Sequence, residues 1–290
     1  MIILQNSIAQ CVVNILISGG ILLIFSSSIY LTYTIRRFFY FTLIVPLTLC
    51  PYLHISLTKT YDIPLFPSFI ISILLSGLIM FVLEWGVNNF LAARKAIMFI
   101  FMLTSFALAI AAQNIFSLLW GDDVTLLSTG RFEVGNLILG ARITLVQITT
   151  ILAGLCVSIG MIIFLRNTKV GKSIRVLGSN PFLAECIGIN ATYIRLKISF
   201  ISGCLAGITG ILVGYDSALY PTYGMQILFL SIVGIVIGGI RSFYSVILGI
   251  LLIAIIQQVS IIVIGGRWYE LIIFTIFIIC IITRPKGIQI

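Results

Sequence analysis

The sequence has little charge: Asp, Glu, Lys and Arg together make up 9% of its 290 residues. A soluble domain carries about 25% charged residues, because its surface has to be covered with polar groups. Hydrophobic residues instead fill 60% of the positions, and the mean hydropathy is +1.23. This composition excludes a soluble globular protein and indicates a polytopic membrane protein.

Residues that bind metals or catalyse reactions are also scarce. The sequence has one histidine, His54, and six cysteines without a C-x-x-C pair. We expect the cysteines to be small buried hydrophobic residues rather than disulfides or zinc ligands. The G-x-S-x-G and H-E-x-x-H motifs are absent, and no carboxylate pair has catalytic spacing. The sequence therefore predicts no metal site, no catalytic residue and no enzyme activity of its own.

Long apolar runs dominate the remainder. They are about 20 residues long and do not alternate with polar residues, which predicts membrane-spanning helices rather than barrel strands. We predict a single all-α transmembrane domain over residues 1–290, a helical bundle of about nine spans within a range of eight to ten. The spans are expected at 8–31, 38–58, 64–85, 96–119, 143–165, 198–215, 226–240, 242–264 and 268–283.

The basic residues are unevenly divided between alternate loops, with thirteen of the 17 in one set. These are Arg36, Arg37, Arg94, Lys95, Arg166, Lys169, Lys172, Arg175, Arg195, Lys197, Arg241, Arg284 and Lys286. The positive-inside rule places this set in the cytoplasm. The N-terminus is then outside, the C-terminus is cytosolic, the loop at about 166–197 is cytosolic, and the loop Gly121–Ala141 is outside. This topology accounts for the net charge of +9 without a nucleic-acid partner.

The predicted cytosolic loop contains Gly171-Lys172-Ser173, which is similar to the end of a phosphate-binding loop. That motif requires a glycine at position 166, where this chain has arginine, and a preceding strand, where it has an apolar run. We therefore expect no nucleotide or other cofactor to bind this chain.

Further along the same loop, Ser179-Asn180-Pro181 has the composition of a turn, and proline suits the first turn of a helix. The apolar residues that follow fall at helical spacing: Phe182, Leu183, Cys186 and Ile187. They predict a short helix with one apolar face and Glu185 turned elsewhere. Such a helix docks on a partner protein or lies in the lipid interface.

Glycines recur four residues apart in the apolar runs, which places each pair on one helix face. The pairs are Gly203 and Gly207, Gly210 and Gly214, and Gly234 and Gly238. In lipid, a glycine face lets a neighbouring backbone approach closely, so these residues predict tight helix packing.

Uncharged polar residues within the spans are candidates for a transport pathway, because burying them in a bilayer is unfavourable. The candidates are Asn14, Gln113, Asn114, Gln147 and Gln257. An interhelical hydrogen bond is the alternative interpretation for each. Glu84 is expected to snorkel or to pair with Arg94. No charged cluster lies near the middle of a span, so the sequence indicates no proton relay.

Taken in order, several motifs resemble the branched-chain amino acid permease family of ABC importers over roughly residues 80–290. They are Leu83-Glu84, Gln113-Asn114-Ile115-Phe116, Gly171-Lys172-Ser173-Ile174-Arg175, Asn180-Pro181, Ile187-Gly188-Ile189-Asn190, the glycine-rich span Ser202–Gly210, Gly238-Gly239-Ile240 and Arg284-Pro285-Lys286-Gly287.

The resemblance implies a multi-pass permease subunit of an ATP-driven importer in the bacterial cytoplasmic (inner) membrane, carrying a small polar solute, with branched-chain amino acids expected first. It also implies two cytosolic ATPase subunits that use ATP and Mg²⁺, a second permease subunit (homologous or identical) and an extracytoplasmic solute-binding protein. The residues that would couple to the ATPase are Asn180, Pro181, Phe182, Leu183, Glu185, Gly188 and Asn190.

Other functions remain open at this point. The family's polar N-F-A-H-G-E-like segment corresponds by position to residues 40–45, of which only Phe41 matches. Urea, nucleosides and simple sugars, which relatives with similar folds carry, are therefore alternative substrates. A stand-alone secondary carrier is the alternative mechanism. A third interpretation is a structural or assembly membrane protein that transports nothing.

Overall fold

The computed structural model describes residues 2–124, 127, 136–138, 141–266 and 268–283. Most of the predicted outer loop, including Glu133, lies outside the described residues. So do Arg267 and the terminal Arg284–Gly287 motif, on which part of the family resemblance depends.

The described chain is almost entirely helical. Its α-helices are α1 (Ile2–Arg36), α2 (Ile44–Lys59), α3 (Leu65–Leu83), α4 (Asn89–Ala93), α5 (Met98–Trp120), α6 (Leu145–Asn167), α7 (Lys169–Ser179), α8 (Pro181–Cys186), α9 (Ala191–Asp216), α10 (Tyr223–Gly238), α11 (Phe243–Val263) and α12 (Tyr269–Thr283). A 3-10 turn (Phe41–Leu43) precedes α2, and a π-helical segment (Glu84–Asn88) joins α3 to α4. Two short strands, β1 (Asn136–Ile138) and β2 (Ala141–Ile143), pair antiparallel with Leu137 opposite Arg142.

Every predicted span coincides with an apolar helix, which confirms the all-α class. Within the described residues, seven helical segments are long and apolar enough to cross a membrane. The two shorter ones are α10 and α12, with 16 and 15 residues against the roughly 20 that a bilayer requires. The count of nine spans and the direction of the termini therefore remain predictions.

The contacts of the chain form two compact units. Unit 1 comprises Met1–Ser26, Ser128–Ile159 and Phe229–Ile290, and unit 2 comprises Ser27–Leu127 and Gly160–Leu228.

In unit 2, the glycine face of α9 packs directly against α2 and α3. A Cβ atom added to Gly203 would lie 2.8 Å from the Cβ atom of Met80, and one added to Gly207 would lie 3.0 Å from Cys50 Sγ and from Ser76 Cβ. Real Cβ atoms rarely approach a neighbour so closely, so these positions have no room for a side chain. Close backbone contact is what a glycine face permits between helices in lipid.

The tightest contact of α9 is with a proline site in α2. Pro51 lies inside α2 and has no N–H, so the carbonyl of Leu47 loses its usual helical donor. The hydroxyl of Tyr223 donates to this oxygen at 2.6 Å. A Cβ atom on Gly210 would collide with the same oxygen. Glycine at position 210 thus lets α9 pass over the freed carbonyl, and tyrosine at position 223 satisfies it.

In unit 1, α10 and α11 also pack through glycine faces. Cβ atoms added to Gly234 and Gly238 would collide with Ile250 and with the Ser245 carbonyl. On the facing helix, a Cβ atom on Gly249 would lie 2.6 Å from the Cα atom of Gly238. The backbones of α10 and α11 are therefore in direct contact.

Polar contacts in unit 2 bring together the helix ends that the predicted topology places outside. Near the end of α2, His54 Nε2 lies 2.8 Å from the Tyr215 hydroxyl at the end of α9, and its Nδ1 lies 2.9 Å from Ser68 Oγ at the start of α3. Trp120, the last residue of α5, donates to Ser56 at 3.0 Å. The four ends lie together, as the alternation of predicted loops requires.

We predict that Tyr223→Phe lowers the free energy of unfolding by about 1–3 kcal/mol, because the buried Leu47 carbonyl loses its donor. In a Pro51→Ala background the loss should fall below half, since the new N–H at position 51 supplies a donor. Denaturation in mixed detergent measures both values. The exposed Tyr244 offers the control Tyr244→Phe, which should change little. An equal loss in both backgrounds would contradict this account of the contact.

Candidate functional site

The segment 166–197, predicted as one loop, is mostly helical. It contains α7, α8 and the first two turns of α9, which begins at Ala191 rather than at residue 198. Thr168 begins α7 as its N-cap, since its hydroxyl oxygen accepts a hydrogen bond from the amide of Gly171 at 3.0 Å. Helix α7 is not among the elements predicted above, although Ile174 and Leu177 lie opposite its lysines at helical spacing.

Helix α7 is attached to the ends of two apolar helices within unit 2. A Cβ atom on Gly171 would lie 2.7 Å from the Cα atom of Leu165 in the last turn of α6. One on Gly178 would lie 2.7 Å from the carbonyl oxygen of Thr34 near the end of α1, and the side chain of Arg37 donates to the Gly178 carbonyl. The ends of α1 and α6 therefore share one side of the unit, as the predicted topology requires.

The short helix predicted to begin at Pro181 is confirmed. Its N-cap is Asn180, whose side-chain oxygen accepts from the amides of Phe182 at 3.0 Å and Leu183 at 3.2 Å. Asparagine is among the best N-cap residues, because it satisfies amides that have no helical partner. The start of α8 is therefore fixed locally by its own sequence.

The end of α8 is fixed by a glycine. Gly188 has a φ of +80°, and the amide of Ile189 after it donates to the carbonyl of Ala184 at 3.0 Å. This is a Schellman cap, in which a left-handed residue closes the helix. Two residues later, Asn190 accepts from the amide of Tyr193 at 3.0 Å and begins α9. Three of the predicted coupling residues (Asn180, Gly188 and Asn190) are therefore helix caps.

Between its caps, α8 presents large apolar side chains to its surroundings. Phe182 is 73% exposed, Leu183 is 56% exposed, and Ile187 just after the helix is 67% exposed. Glu185 is exposed as well, whereas Ala184 is fully buried and attaches the helix to its unit. The described residues thus leave this cluster of apolar side chains uncovered.

A buried ion pair joins α1 to α3 near the same side of unit 2. Arg36, the last residue of α1, pairs with Glu84 in the π-helical segment, and the two side chains are 6% and 1% exposed. Asn88 donates to Glu84 at 2.8 Å and to the Tyr40 hydroxyl at 2.5 Å. The guanidinium carbon of Arg36 lies 4.5 Å from the centre of the Tyr40 ring.

Glu84 therefore neither snorkels to water nor pairs with Arg94, and both expectations are wrong. Arg94 is exposed and lies over the ring of Phe90, 4.3 Å from its centre. Nothing in the sequence pairs Arg36 with Glu84, which is far away along the chain. The π-helical turn is also invisible in a hydropathy pattern, and such turns occur often at functional sites.

Three of the five pathway candidates have structural partners. Asn14 accepts from Gln10 one turn earlier in α1 at 3.2 Å, and Asn114 donates to the carbonyl of Ile110 at 2.8 Å. Gln147 and Thr144 form a capping box at the start of α6, with reciprocal bonds of 3.1 and 3.3 Å. The helix geometry accounts for these polar side chains without a solute.

The other two candidates differ. Gln113 Nε2 and Gln257 Oε1 are buried and have no hydrogen-bond partner among the described residues. Gln113 lies in unit 2 and Gln257 in unit 1, so each is considered within its own unit. A buried amide without a partner is unfavourable by about 1–3 kcal/mol, which calls for an explanation other than packing.

The segment at 40–45, where the family has polar residues, belongs to the packed interior of unit 2. Leu43 and Ile44 are fully buried. Thr42 is buried too and donates to the carbonyl of Ser105 in α5 at 3.3 Å. Apolar residues here serve packing between α2 and α5.

Comparison with known proteins identifies the family. The family model described as "branched-chain amino acid transport system / permease component" matches residues 11–282. The chain belongs to this family. It is thus a permease component and a multi-pass membrane protein.

Among curated relatives, this permease is 24% identical over 211 residues to the high-affinity branched-chain amino acid transport system permease protein LivH of Escherichia coli (strain K12), covering 70% of this chain and 68% of LivH. It is 25% identical over 150 residues to BraD of Pseudomonas aeruginosa, a permease protein of the same kind of system, covering 51% and 49%. Among solved structures, the chain is similar to a chain of PsaBC from Streptococcus pneumoniae in complex with Fab, with a TM-score of 0.51 at 14% identity. The match covers 94% of this chain and 91% of the PsaBC chain. That last likeness concerns the fold alone.

We predict that Glu84→Leu and Arg36→Met each lower the free energy of unfolding of the permease by about 3–5 kcal/mol, because each leaves a buried charge unpaired. The double variant should recover a large part of that loss, since neither charge remains. Arg94→Met removes an exposed arginine on the same side and should change the stability by less than about 1 kcal/mol. Losses that simply add in the double variant would show that the pair is not coupled.

Proposed function

We propose that this permease is the membrane subunit of an ATP-driven importer in the bacterial cytoplasmic (inner) membrane, and that α8 docks on the ATPase. The observation that carries the proposal is the uncovered cluster of Phe182, Leu183 and Ile187, held on a helix that is capped at both ends. Large exposed apolar groups that are held rigidly mark an interaction surface. Burying each side chain in a groove contributes about 1.5–3 kcal/mol.

A protein partner suits α8 better than the lipid interface does. An interfacial helix combines an apolar face with lysines and arginines that meet anionic headgroups. Helix α8 has neither lysine nor arginine, and its charged residue, Glu185, is acidic and exposed. An apolar helix seated in a groove of another protein needs no basic residues.

The connections of α8 suggest how motion of an ATPase reaches the membrane. Asn190 links α8 to α9 through a single short turn, and α9 packs its glycine face on α2 and α3. A displacement of α8 therefore acts on a helix whose backbone touches its neighbours directly. In this proposal the helices alternate between outward-facing and inward-facing arrangements.

The remaining partners follow from the family. Two cytosolic ATPase subunits would use ATP and Mg²⁺, and the permease itself would hold neither cofactor. A second permease subunit would complete the pathway, and an extracytoplasmic solute-binding protein would deliver the solute.

The relatives LivH and BraD are named for branched-chain amino acid transport, so we propose such an amino acid as the first solute to test. Gln113 and Gln257 are the pathway residues we favour, since each has a buried polar atom without a partner in the described chain. The segment around Leu43 and Ile44 is buried and apolar where the family motif is polar, so urea, nucleosides and simple sugars are the alternative solutes to test.

A stand-alone carrier receives less support. Such a carrier needs a coupling-ion or proton site at membrane depth. Glu84 is the acidic residue buried in the described spans, and Arg36 and Asn88 already occupy it.

The test replaces Phe182 and Leu183 together. Phe182→Asp/Leu183→Asp should abolish both association with the ATPase and solute uptake, because two charges replace the apolar contact. Phe182→Met/Leu183→Met keeps the apolar character and should keep at least half of both activities. Affinity co-purification measures association, uptake into cells measures transport, and membrane fractionation checks insertion. An inserted double-aspartate variant that assembles and transports normally would refute the docking role of α8.

A further inference from the structure

Helix α7 carries a basic surface that the docking role of α8 does not use. Lys169, Lys172 and Arg175 are all exposed, and Arg166 at the end of α6 is exposed beside them. Residues three apart in a helix are offset by roughly 60°, so the first three cover an arc of about 120°. The sequence from Arg166 to Ala184 contains no acidic residue. The charged residues of α7 itself are therefore all basic.

The opposite side of α7 is buried within unit 2. Ile174 is fully buried, Leu177 is 3% exposed, and Gly171 and Gly178 make the close contacts with α6 and α1. This side fixes the rotation of α7, so its basic side must face away from the helices beneath it.

The contacts of α7 also place it at the ends of two candidate spans. Gly171 touches α6 at Leu165, two residues before a candidate span ends at Asn167. Gly178 touches α1 at Thr34, two residues before another span ends at Arg36. A helix held across the ends of two spans is expected at the level of the lipid headgroups.

We propose that the exposed basic face of α7 binds the headgroups of anionic phospholipids in the leaflet on that side. A lysine or arginine at an anionic membrane surface raises the affinity about fivefold. The guanidinium of Arg175 lies 3.5 Å from the carbonyl oxygen of Arg166, so it is held near the last turn of α6, where headgroup phosphates meet the span. The neighbouring α8 is apolar and has no basic residue, so it suits a groove of a protein partner, whereas α7 suits anionic headgroups.

This inference goes beyond the proposed function and does not depend on it. Lipid binding is a property of the isolated permease, whereas docking requires the ATPase. The two are therefore tested in different samples, and either can fail alone.

The experiment titrates the full-length purified chain in detergent with phosphatidylglycerol and, separately, with phosphatidylcholine, and counts bound lipids by native mass spectrometry. Lys169→Gln/Lys172→Gln should weaken phosphatidylglycerol binding roughly 10- to 25-fold and leave phosphatidylcholine binding unchanged. The matched control Lys59→Gln/Arg142→Gln removes two exposed basic residues from the predicted outer loops and should change binding less than twofold. The charge-preserving Lys169→Arg/Lys172→Arg should bind like the unaltered chain.

A second measurement needs no variant. Raising the salt concentration shortens the Debye length to about 3 Å at 1 M, so phosphatidylglycerol binding to the unaltered chain should fall steeply. Equal loss in the α7 variant and in its control, equal affinity for both lipids, or binding that ignores salt would each overturn the proposal. An α7 variant that retains phosphatidylglycerol but loses the ATPase would assign this face to the protein partner instead.

Discussion

The carbonyl oxygen of Leu47 is the point on which the packing of unit 2 depends. Pro51 deprives it of a helical donor, and a bare polar group at membrane depth is unfavourable by several kcal/mol. Tyr223 supplies the missing hydrogen bond, and Gly210 allows α9 to lie against the oxygen. The same oxygen thus contacts both α9 and the start of α10, and Gly203 and Gly207 extend the contact of α9 along α3.

That packing gives α7 and α8 a rigid base. The Asn190 cap joins α9 to α8, and the contacts of Gly171 and Gly178 join α7 to α6 and α1. Close by in the same unit, the ion pair of Arg36 and Glu84 closes α1 on the end of α3. Each of these contacts is direct and has no long loop between the elements it joins. In the proposed function, a force on α8 would therefore reach the spans.

The sequence predicts the helical class well, because a run of about 20 apolar residues permits few alternatives. It also predicts the start of α8, since Asn180 and Pro181 determine a helix start locally. Contacts between residues distant in sequence are harder to predict. The hydropathy pattern does not show that Arg36 pairs with Glu84. Nor does it show that Tyr223 donates to the Leu47 carbonyl, which Pro51 leaves without a helical donor. Polar composition made 166–197 resemble a loop, although Thr168, Gly188 and Asn190 are caps. Among the polar candidates, Gln147 proved to be part of a capping box, a pairing visible in the Thr144-x-x-Gln147 spacing.

The central claim is that the permease works with a separate ATPase, and isolation from its native membranes tests it most directly. The tagged chain would be purified in mild detergent, its companions identified by mass spectrometry, and the complex reconstituted in liposomes with labelled leucine. The account predicts a co-purifying protein with a nucleotide-binding domain and uptake that requires ATP hydrolysis. A chain that purifies alone and accumulates solute on an ion gradient without ATP would contradict it.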